Sequence, residues 1–436
     1  MLVDTFKRMR RNSAYALGAA GIALVAGVVQ IGLNARGLGP AALGVLVLVQ
    51  TFAMMLERLF AFDTWQPLLR LADARDEPQA RREARDLVVL AGVYDLGAAL
   101  ISAVAGALLV LCAKPLIGLS EADTAYGLIF AATLAFRIPG APLGVLRLFD
   151  RFDLIAGWTV GEALVRLGAA ALLFAIAAPL AAYVWTFAGL TVATNLALVL
   201  VAWVVYVGNR LPPLLEAKWS EVRRHAGDFA LISWTNFGTT AINAVRTRAD
   251  VFMLGALLGP AAVGLYAVAL RMSAVGGRVA DPLQQIAFPE ISVLGREGRW
   301  PEFRRLLIRL AVIGGLGAAA FVLAVAVLGP LAIELIAGPR FREAMAPLVW
   351  LGVAMAIYLA GFWVRPAALA TVGPKAHLMS YVAAALAMAI ALPFAITAFG
   401  VAGAGLSQLV FNSVWFLVNV LGVWRYLVAA PVGAKG

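Results

Sequence analysis

Nine ionisable residues stand inside otherwise apolar runs: Asp95, Arg137, Glu162, Arg166, Arg246, Arg248, Asp250, Arg271 and Arg365. A charge at the centre of a bilayer costs about 3 kcal/mol or more, so such residues turn toward partners or wet cavities. Six of the nine are arginines and three are carboxylates, which leaves a cationic surplus. Arginine keeps its charge at any working pH, and its planar fork matches two phosphate oxygens at once. A cavity lined this way suits an anionic substrate, a diphosphate above all.

The nine do not read alike. Arg137, Arg271 and Arg365 have no carboxylate within a helical turn and read first as cavity lining. Arg248 joins them, because Asp250 lies two positions on and points to another helix face. Arg166 and Arg246 are further cationic candidates. Glu162 and Arg166 also have the i, i+4 spacing of a structural ion pair. Arg246, near the outer end of its run, has a second reading as a side chain reaching headgroups. Asp95, Glu162 and Asp250 read as coupling sites for a proton or cation, or as ion-pair partners. Gln30, Asn236, Asn243, Gln408, Asn412 and Asn419 have the chemistry to meet sugar hydroxyls, and equally to bond between helices.

Other chemistries find no material. The chain has one cysteine, Cys112, and two histidines, His225 and His377, far apart in sequence. Neither a disulfide nor a Cys- or His-based metal site follows, and no cofactor is expected. There is no GxxxxGK[ST] phosphate loop. The net charge of +11 reads as loop arginines and lysines facing anionic lipid headgroups, not as a nucleic-acid surface.

The elements that hold these residues are long and apolar. The 436 residues are 63% hydrophobic and 14% charged, against about half and a quarter in soluble domains. Runs such as Leu87–Leu111 and Leu306–Leu328 have the about 20 residues that cross hydrocarbon as a helix. They lack the alternation of a barrel strand. Ala14–Leu33, behind four basic residues, reads as a first span and not a cleavable signal. Twelve spans follow, roughly 13–33, 41–61, 87–111, 124–147, 153–177, 181–207, 229–256, 260–282, 306–329, 343–369, 377–398 and 401–425. Segments 62–86, 208–228 and 295–305 are rich in arginine, including Arg75, whereas the opposite turns are poor, with Arg36 and Lys114 among the few. Arg340 and Arg342 break the pattern. The rule that basic loops stay inside places both termini in the cytoplasm. Segments 66–86 and 283–305 read as short helices on the membrane surface.

An internal repeat organises the spans. Leu38–Val45 reads LGPAALGV and Leu258–Leu265 reads LGPAAVGL, at an offset of 220. The same register pairs Ser13 with Ser233 and Arg58 with Arg278. Arg82 and Arg304 correspond with slight drift, and so do Arg137-Ile-Pro139 and Arg365-Pro366. The expected fold is an all-α polytopic membrane protein of about 12 transmembrane helices in two six-helix bundles. Residues 1–207 form the N-terminal bundle, 208–228 a cytoplasmic linker and 229–436 the C-terminal bundle, as parallel copies.

Arg248–Met272, RADVFMLGALLGPAAVGLYAVALRM, resembles a hallmark of the polysaccharide and O-antigen flippases. These belong to the multidrug/oligosaccharidyl-lipid/polysaccharide (MOP) exporter superfamily. Ala35–Gln50, ARGLGPAALGVLVLVQ, resembles that family's first loop and second span. The resemblance implies a MOP/MATE-like fold and no enzymatic activity. It implies flipping of an undecaprenyl-diphosphate-linked oligosaccharide by alternating access through a cationic cavity. The setting would be lipopolysaccharide or other surface polysaccharide biosynthesis at a bacterial inner membrane. The lipid-linked oligosaccharide and membrane lipids are the expected partners, with polysaccharide polymerase and chain-length proteins beside them. Lipid II flippases of the same superfamily carry two extra spans that are not found here. A MATE-type multidrug or cation antiporter is the alternative, and the arginine surplus argues against it. A membrane-bound polymerase or ligase would need a large outward loop, and the outward connections are short.

Overall fold

In hydrocarbon every backbone N–H and C=O must be satisfied within its own segment, so long apolar runs become helices. The computed structural model describes residues 2–72, 77–113 and 118–429, and these contain helices and turns but no strand. Arg75 and Lys114 from the loop-charge pattern lie outside the described residues, as do the side chains of Lys7, Arg8, Arg10 and Ser13. In chain order the helices are α1 (Leu2–Leu59), α2 (Trp65–Leu71), α3 (Pro78–Ala113), α4 (Thr124–Thr133), α5 (Gly140–Leu148), α6 (Phe152–Ala175) and α7 (Leu180–Gly208). Then come α8 (Trp219–Val222), α9 (Ala226–Arg246), α10 (Ala249–Leu258), α11 (Pro260–Arg296), α12 (Trp300–Ile336) and α13 (Met345–Ala360). The last three are α14 (Val364–Thr371), α15 (Gly373–Phe399) and α16 (Val401–Ala429).

Ten of the described helical stretches are long and apolar enough to cross a membrane. The first, Ala14–Leu59, has 46 residues, about twice a single crossing. Gly39, at φ 71° and ψ 175°, divides it, and Pro40 starts the second half. Only glycine takes that backbone freely, and proline suits a first helical position. With this stretch counted as two spans and α9–α10 as another, the total is the expected twelve. Residues on α12 such as Leu316, Leu323 and Val327 are exposed, as lipid-facing side chains must be.

The helices fall into two compact units. One contains residues 1–30 and 45–252, and the other 31–44 and 253–436. In the first unit a buried core joins Leu68 of α2, Leu87 and Ala91 of α3, Val145 and Leu146 of α5, Leu198 and Val205 of α7, and Phe229 of α9. Phe62 stacks on Phe237 at 5.1 Å and meets Trp234 edge-on, which ties α9 into this unit. In the second unit Phe303, Val364, Ala384, Phe411 and Trp415 centre the core.

The repeat is visible in the backbone. Gly259, at φ 81° and ψ 178°, repeats the conformation of Gly39, and Pro260 starts α11 as Pro40 restarts α1. Other positive-φ residues pair as well: Gly118 with Gly338, Asp150 with Gly373, and Ala177 with Gly400. Within the second unit the two hairpins also meet reciprocally. A Cβ on Gly264 would fall 3.0 Å from the carbonyl carbon of Pro40 and closer to its oxygen. A Cβ on Gly44 would fall 3.0 Å from Cα of Pro260 and closer to its carbonyl. Small residues at such crossings let helix backbones touch.

Three spans are broken rather than continuous. The fourth stops at α4, passes through a 3₁₀ turn at Leu134–Phe136, and leaves helical geometry at Arg137 (φ −92°, ψ 87°). Pro139 enforces the break, because the residue before a proline avoids the helical region. The tenth breaks between α13 and α14, at the matching place. The seventh breaks between α9 and α10 at Thr247–Arg248. The surface helices expected at 66–86 and 283–305 take another form. α2 buries Pro67 and Leu68, while 283–305 is the continuous end of α11 and the start of α12.

Candidate functional site

The break in the fourth span creates a helix start inside the first unit. The first backbone N–H groups of a helix have no partner within it. For α5 the partner is Asp95: the Ala141 N–H donates to its Oδ2 at 2.6 Å. The Thr64 hydroxyl donates to Oδ1 at 2.7 Å. Asp95 is 8% exposed, and the positive end of α5 offsets its charge. Position 140 must be glycine here, since a Cβ would sit 2.7 Å from Oδ1 of Asp95 and closer still to the Thr64 hydroxyl.

The same break aims Arg137 into a cavity of about 600 Å³. Arg137 pairs with Glu57 of α1 at 2.7 Å, with side chains 21% and 16% exposed. Arg58, Thr240, Asn243 and Arg248 complete the polar wall, and Met54 and Met55 give an apolar edge. Arg248 interacts electrostatically with both Asp250 and Arg58. Asp250 is fully buried and accepts from the Val251 N–H at 2.8 Å. Arg246 bonds Asn243 Oδ1 at 3.2 Å.

A second cavity of about 500 Å³ shares Glu57, Arg58 and Arg137 with the first. Its wall adds Asp63, Asp95, Glu162, Arg147, Trp65, Trp158 and Phe62. Asp63 accepts from the Thr240 hydroxyl at 2.9 Å. Arg147 lies over the Trp65 ring with its guanidinium carbon 3.8 Å from the centroid. Glu162 accepts from Arg166 at 3.0 Å, and Arg166 also donates to the Thr191 hydroxyl at 3.0 Å.

The structure thus brings Arg137, Arg248, Asp95 and Glu162 to one pair of joined cavities, with Arg166 bonded behind Glu162 and Arg246 beside Asn243. Arg271 on α11 and Arg365 on α14 belong to the second unit, where both are exposed. The carboxylate missing from the helical turns of Arg137 is supplied by Glu57, from another helix. Glu57, Arg58, Asp63 and Arg147 complete the site and were hidden by their places at span ends. Four guanidiniums (Arg58, Arg137, Arg147, Arg248) face four carboxylates (Glu57, Asp63, Asp95, Glu162) across the joined space. The wall is therefore charge-rich and mixed. Among the described residues no cluster of histidine, cysteine or carboxylates has metal-site geometry.

The chain is similar to known proteins in sequence and in fold. The inner membrane protein YghQ of Escherichia coli K12 is 24% identical over 348 residues, covering 78% of this chain and 95% of that one. The lipid II flippase MurJ, in its inward closed conformation, superposes with a TM-score of 0.70. It is 12% identical, and the match covers 94% of this chain and 88% of that one. An inward-facing multidrug resistance MATE transporter of the MOP superfamily gives a TM-score of 0.65 at 14% identity, covering 93% of this chain and 95% of that one. At these identities the two structures establish the fold. The family described as polysaccharide biosynthesis protein matches residues 9–294. The chain is a multi-pass membrane protein of that polysaccharide biosynthesis family.

Proposed function

We propose that the protein flips a polyprenyl-diphosphate-linked oligosaccharide, of the undecaprenyl class, across a bacterial inner membrane by alternating access. The observation that carries this reading is the arginine-lined cavity of the first unit, where Arg58, Arg137 and Arg248 share one wall. Guanidinium forks in a partly dry cavity are strong diphosphate binders. Arg271 and Arg365 are proposed as further cationic contacts on the second unit. The basic loops and the Escherichia coli inner membrane relative support the location, with both termini cytoplasmic. The paired positive-φ positions support descent from two six-span copies, 1–207 and 229–436, joined by 208–228. The flipped product would feed a polymerase and chain-length proteins, as in O-antigen lipopolysaccharide synthesis.

The test is translocation of a fluorescent undecaprenyl-diphosphate oligosaccharide in proteoliposomes. Arg137→Gln and Arg248→Gln should each slow it about ten- to a hundredfold, the worth of one charged hydrogen bond at about 1.5–3 kcal/mol. A wild-type protein that moves no such lipid refutes the reading. The four carboxylates favour a second reading, a MATE-type organic-cation antiporter. Proton-coupled uptake of ethidium by the same vesicles, with no lipid movement, would establish that reading instead.

A further inference from the structure

The two adjacent cavities differ in character. Arg58, Arg137 and Arg248 line the first, together with Met54 and Met55. Beyond the shared Glu57–Arg137 pair the wall becomes Trp158, Trp65 and Phe62 with Asp63, Glu162 and Arg147. A phosphate is less favoured there, because Glu57, Asp63, Asp95 and Glu162 outnumber Arg58, Arg137 and Arg147. Aromatic faces beside hydrogen-bond acceptors suit another ligand. The negative face of an indole attracts the C–H edges of a pyranose ring, and carboxylates accept from its hydroxyls.

Two details sharpen the match. The Trp158 ring N–H is already committed to the Thr194 carbonyl at 3.1 Å, which fixes the ring while it lines the cavity. Arg147 covers Trp65, and its Nε is buried with no hydrogen-bond partner. Arg147 also lines the cavity, where its guanidinium can donate to a sugar hydroxyl. A diphosphate and a sugar adjoin in the ligand, and the arginine wall and the aromatic wall adjoin here through the shared Arg58 and Arg137.

We infer that the Trp158–Arg147 end is a subsite for an uncharged sugar residue next to the diphosphate. The inference rests on the flippase reading above. A sugar acid would add a fifth negative group to a cavity whose four carboxylates already outnumber its three guanidiniums, so the subsite selects neutral sugars.

The experiment uses proteoliposomes and three probes: undecaprenyl diphosphate alone, the same lipid with a neutral hexose chain, and the same lipid with a uronic acid as first sugar. Wild type should favour the neutral glycolipid over the uronic one. Trp158→Leu should lower the ratio of neutral-glycolipid to bare-lipid translocation about three- to tenfold, and Trp158→Phe should restore it. Arg147→Lys, which keeps charge and loses the fork, should lower the same ratio. An unchanged ratio, a Phe variant as poor as Leu, or a preference for the uronic probe overturns the subsite while leaving the flippase reading intact. Failure of wild type to move any of the three overturns the flippase reading and the subsite with it.

Discussion

The reciprocal crossing of Gly44 and Gly264 gives a quantitative test of the second unit. Alanine at either site places a methyl carbon 3.0 Å from backbone atoms of the opposite hairpin and closer to a carbonyl oxygen. Carbon and oxygen repel strongly inside about 3 Å, so the backbones must part by roughly 1 Å. Overpacking of this kind costs about 1–3 kcal/mol. Alanine is the better helix former by about 0.5–1 kcal/mol, so a net loss isolates the crossing. Each single variant should lower the unfolding midpoint in detergent by roughly 2–6 °C, followed by tryptophan fluorescence at a fixed scan rate. The double variant should lose less than the sum, by about 1 kcal/mol, because the first methyl has already separated the hairpins. Gly189→Ala on α7, where a Cβ meets nothing within 4 Å, should be neutral or stabilising. Strict additivity, or single variants indistinguishable from Gly189→Ala, would refute the shared crossing.

Asp95→Asn tests whether that carboxylate is a helix partner or a coupling site. The amide keeps an acceptor for the Ala141 N–H but loses the charge, so stability should fall by about 1–2 kcal/mol while translocation continues; lost transport at full stability would make Asp95 a coupling group. Arg85 is 5% exposed and bridges Asp86 at 2.7 Å and Glu221 at 3.5 Å. Arg85→Ala should therefore cost about 3–5 kcal/mol by stranding the buried Asp86 carboxylate, which a steep drop in folded yield would reveal. Arg299, between Glu297 and Glu302 on the surface, should tolerate alanine with an unchanged midpoint, because exposed pairs contribute little.

What the sequence disclosed and what it hid follow from the range of the interactions. Spans were legible because each satisfies its own hydrogen bonds, so apolar length alone defines it. The Gly39 and Gly259 turns were legible because the backbone demand falls on one residue type. The break at Arg137 was half legible: Pro139 announces a disruption, but the 3₁₀ turn and the cap from Asp95 depend on residues far away in the chain. Partners were the least visible feature. Arg137 looked solitary because its carboxylate, Glu57, sits on α1, and Arg85 looked like a loop charge until Asp86 and Glu221 closed on it. Glu57 and Arg58 stand near the end of a span, where a charge has an ordinary explanation as an interfacial residue, so composition gave no reason to single them out. The repeat supplies the remaining argument. Where the copies agree, at Gly39 and Gly259 or Gly44 and Gly264, the residues serve backbone geometry. At the α9–α10 break they diverge, with Val28 and Gln30 standing opposite Arg248 and Asp250. Arg248 lines the arginine cavity, so a charge that the repeat does not require stands where the proposed ligand does.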